Sequence, residues 1–165
     1  MTAEEIIKFF DMKPLLPEGG FYAETYRAAE KIKKSSLPIP LNGDRNISTA
    51  ILYLLPAGTV SHFHRLKTDE VFHFYLGDPV TMIQLHSDGQ CEKITIGNDI
   101  LNDQKMQVLI PKGTWQGSFV NQGGKFALMG CTVSPGFDPA DFEQAKREQL
   151  LKQFPQHSEW IKKLT

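Results

Sequence analysis

Two histidines and a glutamate stand close together between Gly58 and Gly77. His62 and His64 are two residues apart, and Glu70 follows six residues after His64. Side chains alternate between the two faces of a β-strand, so His62 and His64 are predicted to share a face. Two imidazoles and one carboxylate are typical of a mononuclear centre for Fe, Mn, Ni or Zn. The spacing favours such a metal centre, and the open alternative is three polar side chains that face water.

The order of these residues resembles the first conserved motif of the cupin superfamily. The segment reads Gly-x3-His62-x-His64-x5-Glu70-x6-Gly77, with its first glycine two residues closer to the histidines than in the family pattern. A narrower similarity, to the small single-domain branch described as cupin-5-like, extends to the segment that starts at Cys131. It covers about residues 4 to 145. That branch mostly has no assigned function, so the resemblance implies a fold more specifically than an activity.

A second cupin motif, Pro-x-Gly-x2-His-x3-Asn, is similar to the segment Pro-Lys-Gly-Thr-Trp-Gln116 that begins at Pro111. Gln116 stands where the family has its third metal-binding histidine. The resemblance implies that Gln116 faces the lumen of a barrel, beside the three residues of the first motif. A glutamine oxygen is a poorer ligand for transition metals than imidazole. The implied metal site is therefore His62, His64 and Glu70, with Gln116 as a weak fourth ligand.

Aromatic side chains are expected to form the walls of the same lumen. Two of them follow Glu70 on its own strand face, one neighbours Gln116, and one lies on an early strand. The predicted ligand-pocket residues are Phe72, Phe74, Trp115 and Tyr26. The lumen is alternatively an organic-ligand site without a metal, in which Gln116 and His64 donate hydrogen bonds.

The turn signals predict an all-β chain. We count about nine or ten short strands separated by Gly, Pro, Asn and Asp turns, with no helices between them. This pattern is typical of an antiparallel sandwich or barrel, and the cupin motifs narrow it to a jelly-roll barrel over about residues 20–136.

Helices are predicted at both ends. Thr2 and Glu5 form a capping box, which predicts a helix over about residues 3–12. Asp138 followed by Pro139 has the form of an N-cap and first helical position, which predicts a second helix over about 139–153.

The composition indicates an ordinary soluble globular chain. With 165 residues, 41% hydrophobic and 22% charged, one domain spanning 1–165 is expected. A net charge of −1 gives no sign of nucleic-acid or membrane-surface binding. There is no apolar segment of membrane-spanning length and no glycine-rich nucleotide loop. Two cysteines make no disulfide framework, so a reducing cytoplasm is the expected location.

Two functional hypotheses follow. One is a metal-dependent enzyme of the oxygenase, isomerase or decarboxylase class, acting on a small polar substrate in the lumen. The other is a metal-free ligand-binding or sugar-epimerase-like cupin that uses the same pocket residues. We expect a small-molecule ligand in both cases. Exposed sheet edges also favour a homodimer, unless the terminal helices cover those edges.

Overall fold

A computed structural model describes residues 1–165. In chain order the strands are β1 (Lys13–Pro14), β2 (Phe21–Arg27), β3 (Lys31–Ile32), β4 (Arg45–Asn46), β5 (Thr49–Pro56), β6 (Val60–Leu66), β7 (Asp69–Gly77), β8 (Val80–Leu85), β9 (Cys91–Ile96), β10 (Gln107–Ile110), β11 (Trp115–Val120), β12 (Phe126–Ser134) and β13 (Phe142–Gln144). The helices are α1 (Ala3–Phe9), α2 (Arg147–Gln153) and α3 (Ser158–Lys163). No helix has the length and apolar character that a membrane span requires.

The long strands form two antiparallel sheets that face each other. One sheet has the order β1-β2-β5-β12-β7-β10, and the other has the order β13-β6-β11-β8-β9. Strands β3 and β4 pair separately as a short ribbon. The strand total exceeds the nine or ten expected from turn signals, because very short strands such as β1, β3 and β4 carry no alternation that a sequence can show.

The interior between the sheets is largely apolar. Its cluster takes side chains from both sheets, among them Tyr53, Phe72, Met82, Ile96 and Met129, all nearly inaccessible to solvent. A buried apolar interior of this kind is the main favourable contribution to folding.

Helices cover both outer sheet faces. Helix α1 begins with the predicted capping box of Thr2 and Glu5 and ends at Phe9, earlier than expected. It packs through Ile6 on the outer face of the six-stranded sheet. Helices α2 and α3 cover the outer face of the other sheet, and Ile161 is fully buried there.

The prediction of one helix over 139–153 is wrong in its first half. Asp138 does accept a hydrogen bond from the backbone of Ala140, but only a single 3-10 turn follows. The chain then extends as β13 along β6. The side chain of Asp141 is buried in a two-bond ion pair with Arg45, at 2.7 and 2.9 Å. The ion pair of Asp141 and the strand pairing with the free edge of β6 stabilise this segment more than a helix on the surface would.

Three strands contain β-bulges that the sequence pattern did not reveal. In β7, Phe74 and Leu76 pair with the adjacent residues Met129 and Leu128 of β12, so Tyr75 is the extra residue. In β6, Ser61 and His64 pair with Ser118 and Gln116 of β11, so three steps along β6 match two steps along β11. In β2, the pairing with β5 shifts between Glu24 and Tyr26. A bulge adds one residue and reverses the faces of the side chains beyond it.

Candidate active site

A cavity of about 430 Å³ lies at one end of the interior, which is a typical volume for a small-molecule site. The loop before β2, the strands β2, β5, β6, β7 and β12, and the segment before β13 surround it. Its polar lining residues are Glu18, Tyr22, Glu24, Arg27, Thr49, His64 and Glu70. Its apolar lining includes Leu15, Ile51, Leu66, Val133, Phe137 and Phe142.

The bulge in β6 decides which side chains enter this cavity. Ser61 and His64 both turn inward and are almost completely buried. Phe63, between them, packs outward beneath the C-terminal helices. The face predicted for His62 relied on regular alternation, which the bulge interrupts. His62 instead directs Nδ1 to the carbonyl oxygen of Glu18, at 2.9 Å, and does not line the cavity.

Glu18 enters the site from a turn before the first long strand. Its carboxylate accepts a hydrogen bond from Ser61 Oγ at 3.0 Å, and its Oε2 lies 3.6 Å from His64 Nε2. The following residue, Gly19, has a positive φ, and a Cβ there would lie 2.2 Å from the carbonyl oxygen of Val60. Glycine is therefore required for the turn to pack against β6.

Glu70 faces the cavity from the opposite sheet. It is 7% exposed, and its Oε2 accepts a hydrogen bond from Gln116 Nε2 at 2.5 Å. Gln116 faces inward, in the orientation that the cupin resemblance implied, but its amide group is directed to Glu70. The buried thiol of Cys131 lies beside Glu70, and burial raises the pKa of that thiol well above its usual value.

Burial sets the protonation of the two carboxyl groups. Removal from water raises the pKa of Glu18 to about 7, although hydrogen bonds from Ser61 and Tyr53 oppose the shift. The pKa of Glu70 is raised to about 7 by the same cause, opposed by the charge of His64 and increased by that of Glu18. Both carboxyl groups therefore exchange protons near neutral pH.

His64 presents an unprotonated nitrogen to this pair. Its Nδ1 lies 2.8 Å from the carbonyl oxygen of His62. A carbonyl oxygen only accepts, so Nδ1 carries the hydrogen and neutral His64 has its lone pair on Nε2. Burial lowers the pKa of His64, partly offset by the charge of Glu70. The ring stacks on Phe142 at a centroid distance of 5.2 Å, which fixes its orientation.

The mouth of the cavity is formed by β2. Tyr22 and Glu24 line it, and the bulge after Glu24 brings Arg27 to the same side. Tyr26, a predicted pocket residue, is 54% exposed and lies outside the cavity lining. In a regular strand Tyr26 would share a face with Glu24. The bulge inserts Thr25 as an extra residue, which turns Tyr26 to the opposite face and away from the cavity.

The other predicted wall residues lie elsewhere. Phe72 and Phe74 face the interior, as strand alternation predicted, but they belong to its filled apolar part and do not line the cavity. Trp115 points outward into the cluster beneath the C-terminal helices. The guanidinium group of Arg65 lies 4.3 Å over its ring. Trp115 and Gln116 are adjacent on one strand, so only one of them can face the lumen.

The four predicted metal ligands do not meet at one point. His64 and Glu70 line the cavity, whereas His62 is turned to the Glu18 backbone and the Gln116 amide donates to Glu70. No group of three or more His, Cys, Asp and Glu side chains is arranged to hold a metal ion. The side-chain positions described here do not fit a mononuclear metal centre.

Sequence reasoning missed three residues of the site. Glu18 lies in a Pro-Glu-Gly-Gly turn, and only the two glycines hinted that this turn packs closely against a neighbour. Because of the bulges in β6 and β2, Ser61 reaches Glu18 and Arg27 lines the cavity. No residue type marks those bulges in the sequence, so no local signal could have identified either side chain.

The fold and site define a small antiparallel jelly roll with an acid-lined lumen, the architecture of the cupin class. The family model described as Cupin superfamily (DUF985) matches residues 4–145, so the chain belongs to that family. The resemblance named from the two motifs and the predicted jelly roll are thereby confirmed. No curated protein matches the chain.

Solved structures with the same fold cover the whole chain. Protein SO0799 from Shewanella oneidensis is 38% identical, with a TM-score of 0.89 over 100% of this chain and 98% of that one. A hypothetical protein from Leishmania major is 31% identical, with a TM-score of 0.90 over 100% and 99%. Oxalate decarboxylase from Bacillus subtilis is 17% identical, with a TM-score of 0.57. That last match covers 95% of this chain but 38% of the decarboxylase chain, and it shows similarity of fold alone.

Proposed function

We propose that the protein is a small-molecule enzyme that transfers protons in the barrel lumen without a metal ion, as an isomerase or epimerase does. The observation that carries this proposal is the convergence of Glu18, His64 and Glu70 in one cavity of about 430 Å³. Three titratable groups withdrawn from water in one cleft are typical of acid–base catalysis. A structural role alone would favour apolar side chains at these positions, because burying charged groups is costly.

The groups suit complementary roles. Neutral His64 can accept a proton at Nε2, because its Nδ1 hydrogen is held by the His62 carbonyl. Glu70 and Glu18, each with a pKa raised to about 7, carry a proton in a large fraction of molecules at neutral pH. Such a carboxylic acid can donate its proton to a substrate oxygen.

These roles fit a carbonyl substrate. His64 Nε2 would take a proton from the carbon beside the carbonyl, while protonated Glu70 gives its proton to the carbonyl oxygen, which yields an enol and a carboxylate. When the carbon beside the carbonyl carries a hydroxyl group, this intermediate is an enediol. Protonated His64 then returns its proton to the former carbonyl carbon, and the other hydroxyl group loses its proton to the Glu70 carboxylate, which completes an isomerisation. The apolar walls of Leu66, Val133 and Phe142 would exclude water from the intermediate.

A metal-dependent enzyme is the second candidate. Glu18 Oε2 lies 3.6 Å from His64 Nε2, so one carboxylate and one imidazole are already near each other. The Bacillus subtilis oxalate decarboxylase of similar fold has Mn(II) centres. A divalent ion in this chain would require Glu70 or His62 to adopt another orientation.

Hydrogen–deuterium exchange at carbon tests the proposal without a known substrate. The protein is incubated in D2O with a panel of 2-oxo acids, hydroxy ketones and keto sugars, and loss of carbon-bound hydrogen is followed by NMR. We expect exchange that persists with a chelator and falls about 100-fold or more in His64→Gln, because a positioned acid or base typically contributes that much. The control is His73→Gln, since His73 faces outward and contacts Thr132 and Gln107.

Two results would overturn this function. Exchange that disappears on chelation and returns with Mn2+ would establish the second candidate instead. If no compound exchanges, NMR titration of the carboxyl carbons decides. Values near the ordinary pKa for both Glu18 and Glu70 would remove the basis for acid–base chemistry, and values near 7 would support it.

A further inference from the structure

We infer that Arg27 is the anion anchor of this cavity and that the substrate is a small organic acid with an apolar body and a carboxylate end. The inference rests on the proposed acid–base site and adds the class of substrate. Arg27 is the only lysine or arginine that lines the cavity.

Arg27 faces the cavity because of the bulge in β2. Beyond this bulge the strand faces are exchanged, so Arg27 occupies the side on which Tyr22 and Glu24 lie. Without the extra residue, Tyr26 would occupy that position and the mouth would contain no permanent positive charge. Bulges often redirect a side chain beside an active site.

Contacts that do not involve Glu24 hold the Arg27 guanidinium group in place. Its Nη1 donates to Asn46 Oδ1 at 3.1 Å and to the Phe137 carbonyl oxygen at 3.2 Å. Asn46 is itself held by a hydrogen bond from its Nδ2 to the Ala28 carbonyl oxygen, at 2.6 Å. The orientation of Arg27 is therefore set before any ligand arrives, which lowers the entropy cost of binding.

The remaining edge of the guanidinium group already binds a carboxylate. Nε and Nη2 of Arg27 donate to the two oxygens of Glu24, at 2.9 and 2.7 Å. This paired geometry is the one in which arginine recognises a carboxylate. Glu24 is 40% exposed, so it can turn to solvent and yield this edge to a substrate carboxylate. Glu24 would then hold Arg27 in the free protein and compete weakly with the ligand.

The rest of the cavity suits the other parts of such an acid. Apolar walls formed by Ile51, Phe137 and Phe142 lie in the same cavity as Arg27 and can bury a hydrocarbon or aromatic body. Protonation of Glu18 and Glu70 near neutral pH also limits repulsion of an anion.

Three probes of one shape test the inference. 4-Phenylbutyrate, 4-phenylbutanol and 4-phenylbutylammonium are titrated into the protein, and their dissociation constants are measured by calorimetry or NMR. We expect the carboxylate to bind about tenfold more tightly than the alcohol, since a hydrogen bond between charged groups typically contributes that much. Arg27→Gln should abolish this preference and leave the alcohol within about twofold.

Glu24→Gln should have the opposite effect and strengthen carboxylate binding by about two- to fivefold, because an exposed competing ion pair is lost. This variant keeps all Nη1 contacts of Arg27, so it tests the inference even if Arg27→Gln folds poorly. Arg65→Gln and Glu143→Gln are matched controls, because that exposed ion pair, at 2.8 Å, lies outside the cavity lining. They should leave all three affinities unchanged.

An unchanged carboxylate preference in folded Arg27→Gln, or weaker carboxylate binding in Glu24→Gln, would overturn the role of Arg27. Equal binding of the three probes by the native protein would overturn it as well. These results leave the proposed function intact if Glu18 or Glu70 still titrates near neutral pH. Ordinary pKa values for both carboxyl groups, together with no exchange at carbon, would instead remove the proposed function, whatever the probes show.

Discussion

The two ends of the barrel interior are built from the same strands but have different contents. On β7, Phe72 and Phe74 are packed into a filled apolar cluster, whereas Glu70, on the same face, reaches a polar cavity. At the filled end, Phe72 and Phe74 face inward as strand alternation predicts, although a bulge in β7 follows Phe74. The cavity end depends on two bulges and a turn. The comparison indicates that strand alternation is enough to place Phe72 and Phe74 in the core, whereas the site depends on the bulges in β6 and β2 and on the turn before β2.

The largest expected effect is at the filled end. Phe72→Ala should lower the free energy of unfolding by about 3–5 kcal/mol, because it leaves a cavity in a closely packed cluster. Urea denaturation measures the loss. Phe9→Ala is the control, since Phe9 is 82% exposed, and it should change stability little. Similar losses in both variants would contradict the division between core and surface described here.

Next in size is the ion pair that holds the wall of the cavity. Asp141→Asn should cost about 3 kcal/mol or more, because it leaves the buried guanidinium group of Arg45 without its counter-ion. Denaturation curves should show this loss. Glu143→Gln removes an exposed partner of Arg65 and should cost less than about 1 kcal/mol. Equal effects of the two substitutions would show that burial does not distinguish these pairs.

At the cavity end, the buried carboxyl group of Glu70 should make the stability of the protein depend on pH. The pKa of Glu70 is raised from its ordinary 4.5 to about 7, so the folded chain binds more protons than the unfolded chain between these values. The contribution of protonated Glu70 to the free energy of unfolding is therefore fully present below about pH 4.5, and it is lost as the pH rises through 7. Glu70→Gln removes this dependence.

Between pH 5 and pH 8, we expect the native protein to lose about 2.5 kcal/mol more unfolding free energy than Glu70→Gln does. Chemical denaturation at several pH values measures this difference. Glu143→Gln serves as the control and should give a difference that is independent of pH. If the difference in unfolding free energy between Glu70→Gln and the native protein is also independent of pH, the carboxyl group of Glu70 has an ordinary pKa in the folded protein.

The smallest expected effect on stability is that of substituting His62, and the two histidines should differ in their effect on activity. His62→Gln should cost about 1 kcal/mol for the hydrogen bond to the Glu18 carbonyl and should retain carbon–deuterium exchange. His64→Gln should lose that exchange. The same activity assay, run on both folded variants, makes the comparison. Equal loss of exchange in the two variants would show that His62 is also needed for the reaction, in contradiction to its position outside the cavity lining.

Much of the fold could be predicted from the sequence, because its signals are local. Short strands separated by turn residues at regular intervals indicated an antiparallel sandwich or barrel, and the cupin motifs narrowed it to a jelly roll. The inward faces of Glu70 and Gln116 followed from their motifs and regular strands. The helix predicted over 139–153 failed because a long-range ion pair, Asp141 with Arg45, competes with a local cap.

The site was less predictable, because it depends on contacts between distant segments. The face of His62 and that of Tyr26 depend on bulges, which arise from the pairing of β6 and β2 with their neighbours. Glu18 reaches His64 only after the first turn packs on β6. The periodicity of the sequence cannot reveal this contact, because the two residues lie on segments that are far apart in the chain.

The turn at Gly19 has a consequence for how variants of this chain should be interpreted. Any side chain there would collide with the Val60 carbonyl oxygen and push the turn away from β6, and Glu18 would move with it. Gly19 contributes no functional group, yet it sets the reach of the neighbouring acid. A mutational scan would therefore report loss of activity at a residue with no chemistry of its own.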